Sequence, residues 1–160
     1  MDRRNIVLVC GLTASALLAW FVLSPFTAPY GAYTHLDGSP GILDHSWSAA
    51  EFPYLLGDFL CHQEMDRSFI LNGSQLPFCI RDIGLLLGLA AGLVLCYFLD
   101  RRLGDKKVLW LSVLMIAVTG VEWLAEQAVG DMPEARFLTG IVTGAGAALL
   151  LGWMFYRDTE

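Results

Sequence analysis

Residues 6–23 carry no charged side chain, and three later stretches, 83–99, 108–128 and 137–156, are apolar over similar lengths. A hydrocarbon core about 30 Å thick needs roughly 20 apolar residues of helix, and tilt accommodates the rest. Hydrophobic residues make up 56% of the 160-residue chain, and mean hydropathy is +0.55. A soluble domain of this size would leave much of that surface wet. The sequence therefore predicts an all-α membrane protein with four transmembrane helices. It reads as a single membrane domain, 1–160, in the lipid bilayer of the cell membrane. The net charge of −6 and pI near 4.9 argue against nucleic acid, which requires clustered Lys and Arg.

Arg3 and Arg4 precede the first span, so a cleaved signal peptide competes with an anchor. The exit, Ser24-Pro25-Phe26-Thr27-Ala28-Pro29, lacks a clean small-x-small cleavage site, which favours an uncleaved anchor. Orientation follows from the Lys and Arg near the span ends. With the N-terminus inside, Arg3, Arg4, Arg101, Arg102, Lys106, Lys107 and Arg157 are cytoplasmic, against Arg67, Arg81 and Arg136 outside. Both termini are thus expected in the cytoplasm, with loop 25–82 and the Gly130 turn outside.

That loop contains two local signals. Ser48 and Glu51 have capping-box spacing, and Pro53 suits the first turn of the helix that follows. The expected amphipathic helix, 48–60, has Phe52, Leu55, Leu56, Phe59 and Leu60 on its apolar side, lying on the membrane or on the helix tops. Asn72-Gly73 between apolar runs is a strong hairpin signal. Asn72-Gly73-Ser74 also matches a glycosylation sequon, although a tight turn explains the dipeptide without a sugar.

Small residues recur at intervals of four on two spans: Gly84, Gly88 and Gly92, then Gly140, Gly144, Ala148 and Gly152. Residues four apart share a helix face, and small faces let membrane helices approach closely. These stripes are expected in helix contacts, with each other among the options. A lipid or substrate groove is the functional alternative.

Cys61 and His62 end the amphipathic segment, while Cys79 and Asp82 lie at the mouth of the second span. The hairpin between them can return Cys79 toward Cys61. Three readings stand open. The first is a Cys61–Cys79 disulfide, suited to an oxidising exterior. The second is a metal site drawing on Cys61, Cys79 and one of His62, Asp82 or Glu64; such ligands suit zinc. Adjacent Cys61 and His62 cannot easily share one ion, so one would support the other's ligand. The third is a redox pair, which lacks the usual Cys-x-x-Cys spacing. Cys10 and Cys96 fall within spans and read as inert packing.

A second group, Arg67, Arg81, Asp82, Glu122, Glu126 and Arg136, gathers near the outer boundary. Glu122 lies inside the third span, where an ionisable residue is a functional candidate unless it is a structural ion pair. Arg136 is its plausible partner, and a carboxylate near a metal could act as general base. His35 and His45 have no partner spacing and read as exposed.

Cys61-His62-Gln63, Arg67-Ser68-Phe69, Gly73, Pro77 and Cys79-x-Arg81-x-x-Gly84 together resemble a family of predicted prokaryotic membrane proteins of unknown function. Arg136, Thr139, Gly140 and Gly144 resemble it as well. Gln63, Arg67, Ser68 and Arg81 fall in these blocks and, with Glu126 of the third span, are the further candidates for a polar site; the resemblance supplies no activity. Related sequences tend to show Asp-Gly followed by Gln where this chain has Val121-Glu122-Trp123. Some have cysteine at the position of Asp82, a ligand-capable residue in either case, which favours a metal. Two functions follow from these readings. One is a membrane protein acting on a lipid-linked or external small molecule. The other is a non-catalytic accessory or small transport component, alone or in an oligomer, stapled by Cys61–Cys79.

Overall fold

The computed structural model describes residues 2–43, 45–99, 103–130 and 132–157. In chain order the helices are α1 (Arg3–Leu23), α2 (Phe52–Leu60), α3 (Ile80–Leu99), α4 (Lys106–Val129) and α5 (Pro133–Tyr156). Two short strands, β1 (Ile70–Leu71) and β2 (Ser74–Gln75), pair antiparallel between α2 and α3. The helices α1, α3, α4 and α5 are long and apolar enough to cross a membrane. Each begins before the apolar stretch read from the sequence, because its first turn accepts polar residues. Asp105, for example, caps α4 by accepting from the Lys107 N–H at 2.9 Å, and Pro133 stands at the first turn of α5. Arg101 and Arg102, which contribute to the charge count, lie outside the described residues.

The chain divides into two units, residues 1–16 with 81–160, and residues 17–80. In the first, the two small-residue stripes do meet. A Cβ on Gly88 would overlap the Ile141 carbonyl, one on Gly144 the Leu85 carbonyl, and one on Gly92 would press on Ala148. The backbones of α3 and α5 are therefore in direct van der Waals contact, which is how helices gain cohesion where burial from water supplies none. Val7, Leu93, Cys96, Leu103, Ala148 and Tyr156 form the apolar core beside this seam. Cys96 is packing, as its sequence context indicates, whereas Cys10 is exposed. Burial on α4 is inverted: its buried side chains include Ser112, Glu122 and Glu126, while Trp110, Leu114, Val121 and Leu124 are exposed. Polar in and apolar out is the pattern expected in lipid.

In the second unit, Asn72 and Gly73 take φ of 50° and 69°, the left-handed pair that a two-residue hairpin turn needs. The Asn72 side-chain amide donates to the carbonyls of Pro25 (2.9 Å) and Ala28 (3.3 Å). The turn thus ties the hairpin to the chain leaving α1. At the start of α2, Glu51 accepts from the Ser48 N–H (2.9 Å) and hydroxyl (2.7 Å). A short 3₁₀ turn, Ala49–Glu51, precedes the α-helix proper. The buried residues of α2 are Pro53, Tyr54, Gly57 and Asp58; Phe52, Phe59 and Leu60 are exposed.

Asp58 anchors this unit. Its carboxylate accepts from the Trp47 indole N–H (2.9 Å), from the His45 backbone N–H (3.0 Å) and lies 3.3 Å from His45 Nδ1. His45 is exposed, as its sequence context indicates, and it also meets Asp37 at 3.3 Å. Its partners are contributed by distant segments, which spacing alone does not reveal. Burial pushes the Asp58 carboxyl up, but the donors from Trp47 and His45 outweigh it and hold the group below its ordinary range.

Gly144→Leu should destabilise the bundle by about 1–3 kcal/mol, the usual scale of overpacking. Gly120→Ala, where no atom lies within 4 Å of the added Cβ, should be neutral or slightly stabilising. Thermal unfolding in detergent reads both. For Asp58, a folded pKa below the unfolded value of about 3.9 means its stabilisation is complete above that value. It is lost as pH falls through the lower folded pKa. Tryptophan fluorescence followed down to acid pH should show this loss, and Asp58→Asn should flatten that limb.

Candidate metal centre and ion cluster

Cys61 is the residue at which α2 stops. Its backbone turns to φ −133° and ψ 152° while its N–H donates to the Gly57 carbonyl at 2.8 Å. Cys79 is the residue before α3 starts. Its N–H points at Cys61 Sγ, 3.4 Å away. A backbone donor and the N-terminal end of a helix both favour negative charge on sulfur. Asp82 stands three residues after Cys79 in the first turn of α3, so its place relative to Cys79 is set by that single turn. The two Sγ atoms and a carboxylate oxygen of Asp82 lie within 4.8 Å of one another, with Cys61 buried and the other two half-buried.

Gln63 links the same two segments. It is fully buried at φ +50°. Its Nε2 donates to the Pro77 carbonyl at 3.0 Å, and its own carbonyl accepts from Gln75 Nε2 at 2.8 Å. Gln75 also accepts from the Leu36 N–H through its side chain and from the Tyr54 hydroxyl through its backbone, both at 2.9 Å. Gln63 Oε1 is buried and meets no donor among the described residues. An acceptor in that state costs about 1–3 kcal/mol unless a donor reaches it. Gly57 makes the arrangement feasible: a Cβ there would overlap the Pro77 carbonyl and come within 2.5 Å of Gln63 Nε2. The remaining candidates fall nearby in sequence but outside the three-ligand group. His62 is exposed, Arg67 pairs with Glu64 at 2.8 Å, and the Ser68 hydroxyl donates to the Glu64 carbonyl at 2.8 Å.

The second constellation lies in the other unit, where α3 begins, α4 ends and α5 begins. Arg81 Nη2 donates to both oxygens of Glu122, at 3.0 and 2.8 Å, and to Glu126 at 3.2 Å. Arg136 holds Glu126 through Nε and, at 2.9 Å, through Nη2. Glu122, Glu126 and Arg136 are buried. Two guanidinium groups thus face two carboxylates, and the cluster is neutral as a set. Arg136, expected to meet Glu122, engages Glu126, while Arg81 joins the two carboxylates. Glu122 and Glu126 are four residues apart on one face, so a single arginine reaches both.

A family model described as "Predicted membrane protein (DUF2085)" matches residues 61–150. The chain belongs to that family. The family region opens at Cys61 and contains Cys79, Asp82 and all four members of the ion cluster; α1 and α2 precede it. An uncharacterized protein of Methanocaldococcus jannaschii is 30% identical over 132 residues, 78% of this chain and 78% of the relative. No solved structure matches the chain.

Sequence reasoning did not single out Gly57, Asp58 or Gln75. A lone glycine within an amphipathic helix was the available signal for Gly57. No spacing marks Asp58 or Gln75.

Breaking one partner of the buried pair should be costly. Arg136→Leu is expected to lose about 3–5 kcal/mol in detergent unfolding, the scale for stranding a buried charge. Arg136→Leu combined with Glu126→Leu should recover a large part of that loss.

Proposed function

We propose that Cys61, Cys79 and Asp82 hold one zinc ion at the extracytoplasmic mouth of α3, in a multi-pass protein of the cell membrane with both termini in the cytoplasm. The observation that carries the reading is the convergence of two sulfurs and a carboxylate within 4.8 Å. Thiolate and carboxylate together are a zinc donor set. The N–H of Cys79 aimed at Cys61 Sγ is the kind of outer hydrogen bond that steadies a metal-bound thiolate. Cys61, Cys79 and Asp82 would hold the ion through three ligands, and the chemistry a zinc ion would supply in such a site is activation of a water near neutral pH. The substrate class in this reading is a lipid-linked or external small molecule.

The topology has its own support. Arg3 donates to the Phe155 carbonyl at 3.0 Å, and Arg4 lies over the Tyr97 ring at 4.3 Å. Arg157 lies over Trp153 at 5.3 Å. The start of α1 and the ends of α3 and α5 therefore share one basic end, which the positive-inside rule assigns to the cytoplasm. Glu122 and Arg136, the acid–base candidates of the sequence, enter this reading as members of the salt-bridged frame. Both Glu122 oxygens accept from Arg81, which leaves the carboxylate poorly suited to act as a base.

Elemental analysis of the full chain purified in detergent tests the proposal. About one zinc per chain is expected, with Cys79→Ser losing it and Cys10→Ser keeping it. Thiol titration after denaturation and chelation should find Cys61 and Cys79 reactive. A metal-free protein in which these two thiols are blocked would replace the metal centre with a disulfide staple, the accessory-protein reading.

A further inference from the structure

We propose that α2 is an interfacial helix, its exposed face seated in the lipid bilayer at the boundary between headgroups and acyl chains. The inference rests on the membrane assignment and is independent of the metal reading. Its starting point is the direction in which α2 is turned. Tyr54, Gly57 and Asp58 are buried within residues 17–80, while Phe52, Phe59 and Leu60 are 41%, 43% and 58% exposed. Positions separated by seven and eight residues fall on one stripe of a helix. The single charge of α2, Asp58, is on the buried side, so the outward stripe is apolar with no charge of its own.

The occupant of that stripe follows from its neighbour. The Trp20 ring stacks on Phe52, with centroids 5.6 Å apart and planes 16° from parallel. Trp20 belongs to α1, which is long and apolar enough to span a membrane. Leu23 and Phe26, 58% and 59% exposed, carry the apolar surface of α1 to the end of that span. Phe52 is thus at the depth of the last turns of α1, where tryptophan marks the membrane–water boundary. The exposed stripe of α2 continues a lipid-facing surface. An uncharged apolar helix face at that depth is satisfied by lipid. Cys61 follows Leu60 directly, which fixes its thiol near headgroup depth whatever it binds.

The test places an environment-sensitive fluorescent amino acid, genetically encoded, at Phe59, with a second version of the full chain carrying it at Met65 as a polar-loop control. Both are reconstituted in phosphatidylcholine vesicles. Phe59 is already partly exposed, so the probe leaves the packed side of α2 intact. Bromine atoms placed high on the acyl chains should quench the Phe59 probe severalfold more than the Met65 probe, and aqueous iodide should do the reverse. Equal iodide quenching at both positions would overturn the proposal, because the stripe would then face water. Protection of Phe59 from both quenchers would overturn it too, because the stripe would then be covered by protein, a second copy included.

Discussion

Placing Glu122, Glu126 and Arg136 inside a helix bundle carries a desolvation cost of several kcal/mol per ion unless each charge is met. Arg81 makes the arrangement tenable. It supplies the second cation, and by reaching two carboxylates it closes the set at zero net charge. The geometry of α3 is constrained as a result. Its first turn is tied by Arg81 to the end of α4. Further along, its glycines lie against α5. Asp82, the next residue on that turn, inherits a position with little freedom. Local chemistry at the start of α3 therefore depends on electrostatics within the bundle.

Burial runs the same way in both units. In the bundle α4 turns Ser112, Glu122 and Glu126 inward, and in the loop α2 turns Tyr54 and Asp58 inward. Glu122, Glu126 and Asp58 each have charged or hydrogen-bonding partners close by, and large apolar side chains of α2 and α4 face outward. A water-soluble protein would pay heavily for this arrangement, whereas a chain surrounded by hydrocarbon has no cheaper alternative.

The parts of the molecule legible in the sequence are those set by short-range rules. Four spans, the Asn72-Gly73 turn, the Ser48/Glu51 cap and the small-residue stripes each depend on residues of one continuous stretch of chain. The approach of Cys61 and Cys79 was legible because a hairpin between them returns the chain. Partners were less so. Arg136 was matched to Glu122 from depth and from its place on the small-residue face of its helix, and in the structure it engages Glu126. Asp58 and His45 find each other through a fold-back of the loop that no spacing encodes. The apolar side of α2 was evident from periodicity, but periodicity cannot say whether that side meets protein or lipid. The inward network of Tyr54, Gln63 and Gln75 shows that the opposite face is the one the loop uses.

Gly57 carries a consequence for how such a protein tolerates change. It has no functional group and lies outside the region that defines the family, yet the smallest side chain there would collide with the Pro77 carbonyl and crowd the Gln63 amide. Pro77 and Gln63 stand two residues from Cys79 and Cys61, respectively. A methyl group at position 57 would therefore push apart the two strands of chain that bear the sulfurs. In a mutational survey, an inert position on a surface helix would score alongside the cysteines themselves, and a reader of that survey would have to tell spacing from chemistry.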